Sequence, residues 1–142
     1  MIVSENPVIR CVGALIFDPR GRLCLVKRAN EPGRGKWSIP GGRVEHGETD
    51  HSAVRREVFE EIGLVVTVGD LVGRVERPAP RGTFEILDYS CWSKEWELSP
   101  GDDAADAMWA DSATFATLDR NGALTDGLAD ALRSWDCLPR NE

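Results

Sequence analysis

The stretch Gly42–Leu64, GRVEHGETDHSAVRREVFEEIGL, decides the reading of this chain. Its apolar positions Val54, Val58 and Ile62 recur every fourth residue, which predicts a helix over residues 52–62 with one buried stripe. Thr49 or Asp50 is placed to cap its start, and Gly63 to end it in the left-handed conformation. On that helix Glu57, Glu60 and Glu61 stand at i, i+3 and i+4, so three carboxylates face a common point beside the apolar stripe. Like charges this close repel unless a cation lies between them. Oxygen ligands without a cysteine or histidine partner select a hard ion, Mg²⁺ or Mn²⁺, which keeps several waters and is shared with substrate phosphates. The helix therefore predicts a metal-dependent enzyme acting on phosphate.

Upstream, Val8–Phe17 reads as a strand, residues 18–21 as a turn, and Arg22–Lys27 as the returning strand of a buried antiparallel hairpin. Residues 30–35, rich in Gly and Pro, read as a loop that delivers Trp37, Ile39 and a turn at Pro40–Gly42 to the helix. Downstream, Leu64–Val75 and Thr83–Trp92 read as strands joined by a stiff exposed connection, residues 77–81, that holds Pro78 and Pro80. Residues 99–106 read as an acidic loop, Ala107–Ala110 as a short strand, Thr114–Leu118 as a turn of helix, and Asp126–Trp135 as a closing amphipathic helix. Strands interleaved with two helices predict an α/β chain whose mixed sheet is covered on both faces.

The 142 residues fit one domain, 1–142, with one active site. A formal charge of -7 and a pI near 4.9 repel polyanions, which argues against nucleic-acid binding and requires local positive charge wherever a phosphate binds. Cys11, Cys24, Cys91 and Cys137 form no CxxC pair, and Met1–Pro7 lacks a charged and apolar leader, so a reduced, cytoplasmic protein is expected. The longest apolar run, Cys11–Phe17, is far shorter than the roughly 20 residues of a membrane span. His46 and His51 have no histidine or cysteine at ligand spacing, which disfavours zinc.

Gly42, five residues, Glu48, seven residues, then Arg56-Glu57, apolar Val58, Glu60-Glu61, Gly63 and apolar Leu64 is the spacing of a complete Nudix box. The chain resembles the Nudix (MutT-like) hydrolases from about Val8 to Leu132. The resemblance implies an α/β/α sandwich with the box loop and helix at residues 42–64, and a homodimer. It also implies that Glu57 and Glu61 bind metal directly, with Glu60 and the carbonyl of Gly41. Arg56 can reach Glu60 four residues on and is read as orienting carboxylates rather than touching phosphate. Glu48 either approaches the metals through water or pairs with Arg56. The resemblance allows Glu57 or Glu61 as general base, or an acid from outside the box; Asp102, Asp103 and Asp106 are the candidates here, Asp106 first. The implied reaction is attack of water on one phosphorus of a pyrophosphate, with no covalent intermediate and no organic cofactor.

Arg28, Arg77 and Arg81 are candidate substrate contacts, Lys27 is either a phosphate contact or a solubilising charge, and Trp37 is read as packing. The prolines past the box, Pro78 and Pro80, with the stretches 28–42 and 103–109, resemble the bacterial ADP-ribose pyrophosphatase subgroup. That makes ADP-ribose or a nucleotide sugar the expected substrate. A nucleoside triphosphate pyrophosphohydrolase acting on oxidised nucleotides is the alternative, a dinucleoside polyphosphate hydrolase the third reading. A non-catalytic nucleotide sensor is disfavoured by the intact box acids.

Overall fold

The computed structural model describes residues 6–140. In chain order the elements are β1 (Val8–Ile16), β2 (Leu23–Arg28), β3 (Trp37–Ser38), β4 (Gly41–Arg43), α1 (Asp50–Ile62), β5 (Val66–Ala79), β6 (Gly82–Ser93), β7 (Ala104–Ala110), α2 (Ser112–Arg120) and α3 (Leu128–Ser134). They form a four-stranded sheet, β4-β1-β6-β5, and a three-stranded sheet, β3-β2-β7. The β1–β6 ladder is parallel and the others are antiparallel, so the sheet is mixed as expected.

Residues Cys11–Ile16 of β1 are all buried, the mark of a strand covered on both faces. Side-chain alternation then divides them between two cores. Val12, Ala14 and Ile16 join Cys24, Val26, Leu87 and Cys91 beneath Ala53, Val54, Val58 and Ile62 of α1. Leu15 joins Leu23 and Leu25 beneath Phe115 of α2 and Leu128, Ala129 and Leu132 of α3. One helix layer on each side gives the α/β/α sandwich.

Several expectations need correction. The predicted β1–β2 hairpin is a turn without a hairpin: the strands enter different sheets and share only the isolated bridge Phe17–Leu23. The buried carboxylate of Asp18 shapes that turn, accepting from Arg20 N (3.0 Å), Arg22 N (2.8 Å) and Arg22 Nε (2.6 Å). The approach to the box is also more regular than a loop and turn, because β3 pairs with β2 and β4 with β1. The proline connection disappears: β5 runs through Pro78, and only Pro80 and Arg81 turn between Ala79 and Gly82. Pro78 is tolerated because β5 is an edge strand. β7 begins three residues early, α2 is longer than the single turn predicted, and α3 starts only at Leu128. Nothing is paired among the cysteines; all four are free.

Helix α1 carries its own boundaries. Thr49 is extended and its hydroxyl accepts from Ser52 N at 3.1 Å, while Gly63 ends the helix at φ 75°. Thr49→Ala is expected to cost about 1 kcal/mol in urea unfolding. A smaller loss than a few tenths would mean the helix is held by packing alone. No helix among the described residues is long and apolar enough to cross a membrane.

Candidate active site

The carboxylates of α1 are set at the edge of the first core by the same helix face that buries Val54, Val58 and Ile62. Glu61 is itself 9% exposed and points at β4, where its Oε1 accepts the Gly41 N–H at 2.7 Å. Glu57 lies against Gly42: a Cβ there would fall on the Glu57 carboxylate, and one on Gly41 would fall on the Val12 carbonyl. Only glycine at both positions lets backbone and carboxylates approach this closely.

Arg56 clamps the cluster. It donates from Nε and Nη2 to the two oxygens of Glu48 (2.7 and 2.8 Å), from Nη1 to Glu57 (2.7 Å) and Glu60 (3.1 Å), and from Nη2 to the Arg43 carbonyl (3.0 Å). The reach to Glu60 is the i, i+4 contact expected from the spacing. Of the two options open for Glu48, the structure shows the pairing with Arg56, and Glu48 also accepts from Glu45 N at 2.8 Å. Those bonds, the Arg56 one foremost, hold the Glu48 carboxyl down to about 2. Glu48→Gln is expected to free Arg56 and lower kcat/KM about 10- to 100-fold with helix content unchanged, as outer-shell partners do. Unaltered kinetics in that variant would reduce the clamp to a surface ion pair.

Burial dominates the titration of the other two box acids. It lifts the Glu61 carboxyl to about 7, against the Gly41 hydrogen bond, with the Glu57 and Asp103 charges adding to the rise. Glu57 is raised by the same cause, and Arg56 opposes it.

The loop before β7 folds back on the end of α1. Ser99 N donates to the Ile62 carbonyl (2.9 Å) and Gly101 N to the Glu61 carbonyl (2.8 Å). A Cβ on Gly101 would strike the Glu60 carbonyl. This clasp brings Asp103 to the box, where Ala29 N and Asn30 Nδ2 hold its carbonyl and carboxylate, each at 3.3 Å. Asp103 is thus the outside acid whose charge bears on both Glu57 and Glu61. Asp106, preferred from the sequence, stands exposed opposite Lys27 with its Oδ1 on the N–H of Ala107. Asp103 lies in the clasped loop and Asp106 in β7, and Pro100-Gly101 was the turn signal that could have ranked them.

The arginines divide as well. Arg28 bears on Glu61 and donates from Nε to the Pro32 carbonyl at 2.6 Å. Arg77 turns to the opposite helix layer, donating to the Asp126 carbonyl at 3.2 Å, and Arg81 is exposed at the hairpin tip. Neither figures among the charges that bear on Glu57 or Glu61. Trp37 packs against the second core; His46 and His51 are exposed, His51 edge-on to Tyr89 at 5.1 Å.

Among the described residues no three acids, histidines or cysteines converge closely enough to enclose an ion. The donor chemistry nevertheless suits a hard cation. The groups are oxygen only, Glu57 and Glu61 lie close enough for the charge of one to raise the other, and neither Oε2 accepts a hydrogen bond among the described residues.

The sequence profile of the NUDIX domain matches residues 7–122, and the chain belongs to that family. An ADP-ribose pyrophosphatase of Methanocaldococcus jannaschii is 39% identical over 98 residues, 68% of this chain and 58% of that protein. An 8-oxo-(d)GTP phosphatase of Mycolicibacterium smegmatis is 34% identical over 115 residues, 75% of this chain and 36% of that one. The chain thus spans less than two thirds of the length of each of these two relatives. A Mycobacterium tuberculosis protein provisionally named 8-oxo-dGTP diphosphatase 2 is 44% identical over 127 residues, 86% of each chain. The fold matches that of the MutT protein from Methanosarcina mazei Go1 with a TM-score of 0.83 at 24% identity, over 94% and 96% of the two chains.

Proposed function

We infer that this chain is a divalent-metal-dependent pyrophosphohydrolase, one domain with one site, which adds water to a phosphoanhydride of a nucleoside diphosphate linked to a further group. The observation that carries this is the pair of carboxylates Glu61, buried, and Glu57, half-buried, on one helix, with Glu60 tied to Glu57 through Arg56 and with Gly41 and Gly42 opening the space in front of them. Glu57, Glu60, Glu61 and the Gly41 carbonyl would hold Mg²⁺ or Mn²⁺, which when bound offsets the negative charge of the diphosphate. A bifunctional NMN adenylyltransferase/ADP ribose pyrophosphatase from Francisella tularensis, similar in fold, was crystallised with AMP and a manganese ion. Arg56 orients Glu57 and Glu60. Glu61, lifted to about 7, can hold or release a proton near neutrality, and Asp103 is the loop acid placed to share that work.

Two substrate readings have support. The Methanocaldococcus relative favours ADP-ribose, the expectation from Pro78 and Pro80. The Mycobacterium tuberculosis relative matches along most of both chains and favours a nucleoside triphosphate. Pro78 lies in an edge strand and Arg81 at a hairpin tip, so neither adds a contact at the box acids that favours ADP-ribose, and the length of the Mycobacterium tuberculosis match decides the order. We therefore rank the triphosphate first. The test is Mg²⁺-dependent hydrolysis by purified protein across ADP-ribose, nucleotide sugars, dinucleoside polyphosphates and normal and oxidised triphosphates. Pyrophosphate with a nucleoside monophosphate supports the first reading, and AMP with ribose 5-phosphate the second. Tight binding without turnover of any compound would overturn hydrolysis in favour of sensing. A cytoplasmic homodimer that binds no nucleic acid completes the proposal, and light scattering in solution checks the dimer.

A further inference from the structure

The segment between β6 and β7, residues 94–103, contains no helix or strand, yet it is anchored along its length. Trp96 meets Trp109 of β7 edge-on with 5.8 Å between ring centres, and its carbonyl accepts the Trp109 Nε1–H at 2.8 Å. Ser99 N and Gly101 N then donate to the last two carbonyls of α1, Ile62 and Glu61, which a helix end leaves without partners of its own. The strap so fixed ends at Asp103, beside the box. There the β2–β7 ladder is irregular: Lys27 faces Asp106 while Arg28 faces Ala104, so Ala105 is an extra residue. A bulge of this kind re-aims the chain beside it. Past it, Ala29 N donates to the Asp103 carbonyl and Asn30 Nδ2 to the Asp103 carboxylate, each at 3.3 Å.

Asp103 stands where an unheld acid would not stay. It is exposed, and its charge bears unfavourably on both Glu57 and Glu61, so repulsion would carry a free loop outward into water. The group that reaches its carboxylate is a neutral amide. A lysine or arginine in that place would hold the loop equally well and would offset the negative charge. Asparagine holds the loop and leaves the charge whole, which suits a site that must attract a cation.

We propose that Asn30 is a positioning residue: it holds the Asp103 carboxylate beside Glu57 and Glu61, so that this charge adds to theirs where a divalent cation binds. Asn30 acts through Asp103 alone, and the inference rests on the metal-binding reading of the box acids.

The test is calorimetry of Mn²⁺ with wild type, Asn30→Ala, Asp103→Ala and the double variant, each shown to be folded by circular dichroism. Both single variants are expected to bind Mn²⁺ on the order of 10-fold more weakly than wild type. The double variant is expected to bind no more weakly than Asp103→Ala, because Asn30 then has nothing left to hold. Equal affinities in wild type and Asn30→Ala overturn the assignment. So does a second loss of the same size when Asn30→Ala is added to Asp103→Ala, the result that a contact of Asn30 with the cation, or a general loosening of the loop, would give. A wild type that binds no Mn²⁺ overturns the metal reading and this inference with it. The expected pattern of affinities without turnover of any nucleotide leaves the inference standing and sinks only the hydrolase reading.

Discussion

Glu57→Gln is expected to lower kcat by on the order of 10³-fold while leaving the fold intact. The substitution keeps the shape of a side chain that fills the notch above Gly42, and it keeps an oxygen for Arg56 Nη1. What it removes is one negative charge at the point where a cation and a diphosphate would meet. Stability should hold or rise, because burial already penalises the Glu57 carboxylate and its charge bears unfavourably on Glu61. Circular dichroism and a melting curve establish that the protein is folded, and Mg²⁺ should raise the melting temperature of wild type more than that of the variant. Wild-type turnover in the variant would mean that the acids of α1 are a solvated helix face tied down by Arg56, and the site would have to be sought elsewhere.

Sequence reading succeeds on α1 because the helix carries its boundaries locally. Thr49 and Gly63 act within a turn of themselves, and the stripe of Val54, Val58 and Ile62 shows its period within a dozen residues. The box acids were legible for the same reason. Strand pairing was not, since β1 finds β6 in parallel across more than sixty intervening residues, and no local signal distinguishes that partner from the nearer β2. Asp18-Pro19-Arg20-Gly21 is a true turn, yet what it joins depends on two cores that form together. Asp103 and Asp106 look alike in an acidic loop; the clasp of Gly101 on the Glu61 carbonyl separates them, and a backbone contact leaves no trace in composition. Asp88 is the sharpest case. In the run Phe84-Glu85-Ile86-Leu87-Asp88 an acid reads as solvent-facing, and only the glycines on both neighbouring strands reveal that it faces inward.

That inward carboxylate sets the second large expectation: the stability of Asp88→Asn relative to the wild type is expected to rise by about 3 kcal/mol between pH 3.5 and pH 7. Burial moves the Asp88 carboxyl from its ordinary 3.8 to about 6, with Arg77 opposing the rise. Below 3.8 both folded and unfolded chains hold the proton, so the residue contributes no pH dependence there. Between 3.8 and about 6 the unfolded chain releases the proton while the folded one retains it, and stability falls by about 1.4 kcal/mol per pH unit. Above about 6 the folded chain is ionised too and the loss stays constant. Glu61 titrates in an overlapping range, but it is common to both proteins and cancels in their difference. Urea unfolding of wild type and variant from pH 3.5 to 7.5 reads that difference directly. A flat difference would mean the carboxylate has a partner in solution. A difference that grows with pH would show that the native chain keeps a destabilising charge buried between Gly13 and Gly73.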